Sequence, residues 1–227
     1  MPENGIDSIR KAGVIVKECL AFLKGEVKVG VSTKHLEEKA HEFIVSRNAK
    51  AAFKGYKGYP ASICTSRNNV VVHGIPSAKE ILKDGDIVGV DVGVERDGYF
   101  ADAAKTFTIG KISEDAQKLI DITREALDRG IAKAIRGGRV QDISWAIQSF
   151  VESTGCNVVR AFVGHGIGKK IHEEPEVPNF GEPHKGMILE NGMALAIEPM
   201  VNAGTGDVEI QEDGWTAATR EGHTDGK

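Results

Sequence analysis

The sequence predicts an α+β fold built as two pseudo-symmetric halves, and three observations predict it. Asp97-Gly98 stands between two β-rich runs, residues 85–96 and 99–109. Asp-Gly in that setting is the strongest short-range hairpin signal, because a type I′ turn needs positive φ at both central residues. The run from Leu82 to Asp91 also aligns without a gap on the run from Leu189 to Glu198; both read Leu-x-Asp/Asn-Gly, four residues, a β-branched residue, then an acid. Finally, Val72-His73-Gly74-Ile75 matches the later His165-Gly166-Ile167 in the same order, and each match is preceded by two helices and a strand. One short match arises by chance; two in order, behind the same elements, point to a duplication covering about 6–109 and 113–220.

The elements follow in chain order. Residues about 6–24 place Ile6, Ile9, Val16, Leu20 and Leu23 near one helical stripe, with Gly25 as a stop. A second helix is expected over about 33–46, with Ser32 as N-cap and Leu36, Ala40, Phe43 and Ile44 inward. The Gly- and Tyr-rich stretch Phe53 to Pro60 reads as a loop, and strands follow at Ser62–Thr65 and Val70–Val72. After the hairpin, a third helix starts behind Ser113 and runs to Gly137-Gly138. A fourth covers about 141–153 and buries Ile143, Ala146, Ile147 and Phe150 before Gly155. A strand through Val158 to Val163, a polar loop to about 185 and a last strand, Ala194 to Pro199, complete the expectation.

A two-residue turn at Asp97-Gly98 fixes the hairpin register: 96 with 99, 93 with 102 and 91 with 104. Asp102 then faces Gly93 and lies diagonal to Asp91, all on one side of the ribbon. Asp is depleted in strands, and a same-face pair of carboxylates needs something that repays its desolvation. A divalent cation is one candidate; a solvated face paired with Lys or Arg is the other. A pseudo-dyad relating the halves brings Glu198 to Asp91, with His73 and His165. Asp91, Asp102, Glu198 and His165 make an oxygen-rich set with one imidazole, suited to Mn, Fe, Co or Zn at least as well as Mg. Three or more carboxylates can hold two cations that activate a shared water and polarise a carbonyl, so amide hydrolysis is the leading chemistry. A histidine in a Gly-rich turn on its own is an ordinary hydrogen-bonding residue; the three acids give His165 its meaning.

The whole chain bounds the rest. Its 227 residues suffice for a sizeable core, and the net charge of −4 advertises no nucleic acid or anionic membrane. Cys19, Cys64 and Cys156 form no C-x-x-C pair, which argues for a reducing compartment and against disulfides or a thiolate zinc site. Neither a signal peptide nor an apolar run of membrane length is present, so a cytoplasmic chain is expected.

The motifs Phe53-Lys-Gly-Tyr56-x-Gly-Tyr59-Pro60, Val72-His73-Gly-Ile-Pro76, Asp91-Val-Gly93, Gly98-x-x-x-Asp102-x-Ala-x-Thr106, Gly164-His-Gly-Ile-Gly168, His172-Glu-Glu-Pro175, Ile197-Glu-Pro-Met200 and Asp213-Gly-Trp-Thr216 closely resemble the type I methionine aminopeptidases. The likeness runs in register from about residue 6 to 220. It implies the pita-bread α+β fold, two pseudo-symmetric halves around a central antiparallel sheet, in one catalytic domain. It implies removal of the initiator Met from nascent chains with a small second residue, with such N-terminal Met peptides and the ribosome as partners, no membrane, and a monomer. Carried over by motif, Asp91, Asp102, His165 and Glu198 are metal ligands, Asp102 bridging two metals and Glu198 also shuttling a proton. His73 and His172 hydrogen-bond the substrate amide and the tetrahedral intermediate, as donors aimed at developing charge do. Tyr56, Tyr59, Cys64 and Trp215 line the methionine pocket, a soft surround suited to a thioether.

The chain departs from this pattern at its tail. The family carries a further bridging Glu on a strand after Asp-Gly-Trp-Thr, whereas here Glu221 comes too early and His223-Thr224 lack an acid directly before them. The C-terminal ligand segment is thus expected to be missing, with a second metal weak or absent. A catalytically weakened or inactive peptide-binding homologue, or a fragment of an active enzyme, is the alternative reading.

Overall fold

The structure, a computed structural model, describes residues 3–220, so Glu221 and His223-Thr224 lie outside the described residues. Helix α1 (Glu3–Glu26) runs past Gly25, which a terminal turn tolerates at modest cost. It buries Ala12, Val16, Cys19, Leu20 and Leu23 along one face, the i, i+4, i+7, i+8, i+11 stripe of a helix lying on a sheet. Helix α2 (Thr33–Ser46) starts where the cap predicts: Ser32 Oγ accepts from the His35 N–H at 3.2 Å. Its Leu36, Ala40 and Ile44 are fully buried.

Strands β1 (Lys50–Ala51), β2 (Ile63–Arg67), β3 (Val70–Val72), β4 (Ile87–Arg96) and β5 (Tyr99–Thr108) follow, with one 3-10 turn, Tyr56–Gly58, inside the expected loop. The hairpin has the expected register, Arg96 opposite Tyr99, Gly93 opposite Asp102 and Asp91 opposite Ala104. Asp97 and Gly98 adopt φ of 54° and 79°, the paired positive values a type I′ turn requires. β4 is the central strand, antiparallel to β5 on one side and to β1 and β2 on the other. Its two faces differ as the period of 2 demands. Val88, Val90, Val92 and Val94 point into the core under α1 and α2, while Gly89, Asp91, Gly93 and Glu95 form the other face.

The second half holds helices α3 (Glu114–Lys133) and α4 (Val140–Ser153), so α3 ends short of Gly137-Gly138. Val140, Ile143, Ile147 and Val151 of α4 pack with Ile122 and Ala126 of α3 in a second core. The single strand expected from Val158 to Val163 is instead two, β6 (Asn157–Val158) and β7 (Val163–Gly166), because the chain turns between them. The expected polar loop contains β8 (Glu173–Pro178), which pairs with β7. The last expected strand is reduced to β9 (Leu195–Ala196), so Glu198 sits just beyond a strand rather than on one. Strands β10 (Val201–Asn202), β11 (Val208–Ile210) and β12 (Ala217–Thr219) complete four antiparallel sheets among the described residues. β12 pairs with β3, so one sheet draws strands from both halves. A third apolar cluster does the same: Phe53, Tyr59, Ala61 and Cys64 of the first half bury Ile171 of the second, with Trp215 against them.

Candidate metal centre

The site assembles on His165. β7 is pressed between β8 and β9, and glycine at both neighbours makes this possible: a Cβ on Gly164 would run into the Ala196 carbonyl, and one on Gly166 into that of Glu174. The register shifts between His165 and Gly166, a local irregularity of the kind that re-aims a side chain at a site. The His165 ring is buried, and its Nδ1 lies 2.9 Å from the Gly166 carbonyl oxygen. A carbonyl only accepts, so Nδ1 carries the proton and Nε2 of the neutral ring presents a lone pair.

That lone pair meets two carboxylates. Nε2 is 3.1 Å from Glu198 Oε1 and 3.4 Å from Asp102 Oδ2. Glu198 Oε1 is buried without a hydrogen-bond partner, its approach to Nε2 lacking hydrogen-bond geometry. Ligand atoms of Asp102, His165 and Glu198 all lie within 4.8 Å of one another. Three acceptors converging on one buried point repel unless a cation lies among them. With only a proton to play that part, burial pushes the His165 pKa down, but Asp102 and Glu198 outweigh it and raise it to about 10. An orphaned carboxylate oxygen, a fixed imidazole tautomer and a hard-to-borderline donor set therefore fit one divalent cation of the Mn, Fe, Co or Zn kind.

Asp91 stands on the same face of β4 as Gly93, as the register predicted, but no oxygen of it belongs to that close group of three. Burial, then the charges of Glu198 and Asp102, hold its carboxyl well above the usual range. Of the four ligands read from sequence, three converge and the fourth lies within their electrostatic reach.

The two other histidines flank the cluster. His172 stacks edge-on to His165, with centroids 4.2 Å apart, and its Nδ1 is hydrogen-bonded to the Tyr56 hydroxyl at 2.8 Å. Burial, then the positive field of His165, lowers its pKa to about 4, so the ring is neutral near pH 7. His73 is held at φ 59°, a strained region for a non-glycine residue that costs about 1–3 kcal/mol and is found at functional sites. Its ring meets Phe162 edge-on at 5.1 Å and Trp215 at 6.4 Å, and burial lowers its pKa.

The aromatic wall is partly as expected. Tyr59 and Cys64 are buried together, and burial pushes both pKa values up. The Tyr59 hydroxyl donates to the carbonyls of Gly74 at 2.9 Å and Ile63 at 3.2 Å, tying β2 to the residue after His73. Trp215 lies edge-on to Tyr59 at 5.2 Å. Its backbone is fixed by Asp213, whose carboxylate accepts from the Trp215 and Thr216 N–H groups at 2.8 Å each. Tyr56 packs against the same cluster and is also the partner of His172. Sequence reasoning quoted Phe53 in a motif without giving it a role, and passed over Phe162 and Ile171. Nothing local marks Phe162.

Residues 7–220 match the model of metallopeptidase family M24. A methionine aminopeptidase of Clostridium perfringens is 54% identical over 220 residues, covering 97% of this chain and 88% of that protein. Methionine aminopeptidase 1 of Bacillus subtilis is 47% identical over 214 residues, 94% of this chain and 86% of its own. The crystal structure of a methionine aminopeptidase from Thermotoga maritima superposes with a TM-score of 0.95 at 43% identity, covering 98% of this chain and 89% of that one. With matches of this extent, the chain belongs to metallopeptidase family M24, among the methionine aminopeptidases with their pita-bread fold.

Proposed function

We propose that this metal-dependent peptidase recognises the N-terminal Met of nascent chains whose second residue is small, and removes it slowly, with one tightly held cation. The observation that carries the reading is the close group of Asp102, His165 and Glu198, with Asp91 outside it. A cation bound there supplies Lewis-acid polarisation of the scissile carbonyl and a more acidic water. The chain's own groups do the rest. Glu198, partly exposed and with one oxygen unpartnered, is the candidate proton carrier between water and the leaving amine. His172 and His73 have lowered pKa values and act as neutral donors toward the oxygen that gains charge, His172 oriented by Tyr56. Tyr59, Cys64 and Trp215, with Phe53 and Ile171, offer the thioether an apolar pocket.

We read residues 1–227 as one catalytic domain, a reading supported by the β3–β12 pairing and the third cluster, which both bridge the halves. Three free cysteines support a site of action in a reducing compartment such as the cytoplasm, where nascent chains emerge. The test is release of free methionine from a Met-Gly-led peptide with Mn supplied. Chelator or Asp102→Ala should abolish it; turnover that survives both would sink the proposal.

A further inference from the structure

Gly93 lies in an ordinary strand conformation, with no positive φ that would call for glycine. The reason for it is a ring. A Cβ built on Gly93 would come 2.5 Å from Phe53 Cε1 and 2.9 Å from both Cδ1 and Cζ, and these three ring atoms are its nearest neighbours. Gly89, on the same face of the same strand, offers the contrast: a Cβ there meets only Ser66 atoms, at 3.6 and 3.7 Å, an ordinary contact. Phe53 is 9% exposed and packs in the cluster of Tyr59, Cys64 and Ile171, beside the carboxylates of the same β4 face. The ring therefore packs directly against bare backbone at Gly93, and the depth it gains there sets how much room remains above it. Any side chain at 93 would lift the ring away from the ribbon, toward the space the proposed pocket uses.

We infer that Gly93 is a specificity-determining positioning residue, which acts through Phe53 by letting its ring form the floor of the methionine pocket; this rests on the pocket reading proposed above. Gly93 sits opposite Asp102 in the register, yet the three atoms nearest to its Cβ all belong to the Phe53 ring, so the disturbance goes to the ring first. A pocket that gains or loses about one methylene changes discrimination by roughly 10- to 200-fold.

The test measures binding of L-methionine and L-phenylalanine to the Mn-loaded chain by calorimetry, with cleavage of a Met-Gly-led peptide followed separately. Gly93→Ala should weaken methionine binding about tenfold, whereas Gly89→Ala should leave it within about twofold. Phe53→Ala should shift preference from methionine toward phenylalanine by about tenfold or more, and adding Gly93→Ala to it should cost methionine affinity no more than about twofold. Phe53→Ala introduces no clash, so it keeps the inference open to refutation if Gly93→Ala does not fold. The inference is overturned by unchanged methionine affinity in folded Gly93→Ala, an equal loss with and without the Phe53 ring, an unchanged preference in Phe53→Ala, or a wild-type chain that does not hold methionine. Methionine bound but the peptide uncut would count against the catalytic reading alone.

Discussion

At the scale of single residues, the centre is a contest between a proton and a metal for His165. Its Nδ1–H is committed to the Gly166 carbonyl, and its Nε2 faces Asp102 and Glu198. The raised pKa of about 10 means that the metal-free ring is charged through the neutral range. A cation at the same point must expel that proton, so its apparent affinity should rise about tenfold per pH unit below that value. Calorimetric titration in buffers of different ionisation enthalpy should show at least one proton released per Mn bound. Binding with no proton release would place the metal elsewhere. This group was legible in part because an acid such as Asp102 is rare in a strand and because Glu198 occupies the place in the second run that Asp91 has in the first. The contact of Tyr56 with His172 was not: the resemblance implies a pocket-lining residue, and only folding brings its hydroxyl 2.8 Å from His172, 116 residues away.

At the scale of elements, the hairpin was legible to the residue, since a two-residue turn leaves no freedom in register. β8 was hidden because Glu173, Glu174 and Glu176 with Pro175 and Pro178 mask any apolar alternation; only Pro175 and Val177 turn inward. The expected strand ending at Pro199 failed for the opposite reason. Its apolar run is real, but the run finds a partner only at Leu195 and Ala196. Another tie, between α2 and β2, holds the strand that carries Cys64. The buried Glu37 carboxylate accepts from the Ser62 N–H at 3.2 Å and from Lys34 at 2.7 Å. Burial raises its pKa, but Lys34 and Ser62 more than offset this, leaving it below the ordinary 4.5. A depressed carboxylate contributes stability above its unfolded value and loses it as pH falls through the folded one. Glu37→Gln should therefore cost about 1 kcal/mol at pH 7 and flatten the loss of stability below about pH 4.5. Thermal melts from pH 7 to 3 check this; parallel curves for the two proteins would refute it.

At the scale of the molecule, the candidate site draws its residues from both halves of the chain. The first half buries α1 on β4 and β5 with six core residues, from Ala12 to Leu23. In the second half, α3 buries only Ile122, Ala126 and Gly130 and leaves Ile131 more than half exposed, as is Ile135 just beyond its end. The halves are thus alike in order but unequal in completeness among the described residues. The first contributes Asp102 and Asp91, the second His165 and Glu198, and only three of these four converge. Such inequality was half visible in the sequence: the repeat announced two halves and one missing carboxylate, while the distance of Asp91 from the close group required coordinates. The central claim, one tight cation at Asp102, His165 and Glu198, is tested most directly by titrating the purified chain with Mn and counting equivalents. One tight equivalent, lost in Asp102→Ala, is the predicted result; two tight equivalents would contradict the account.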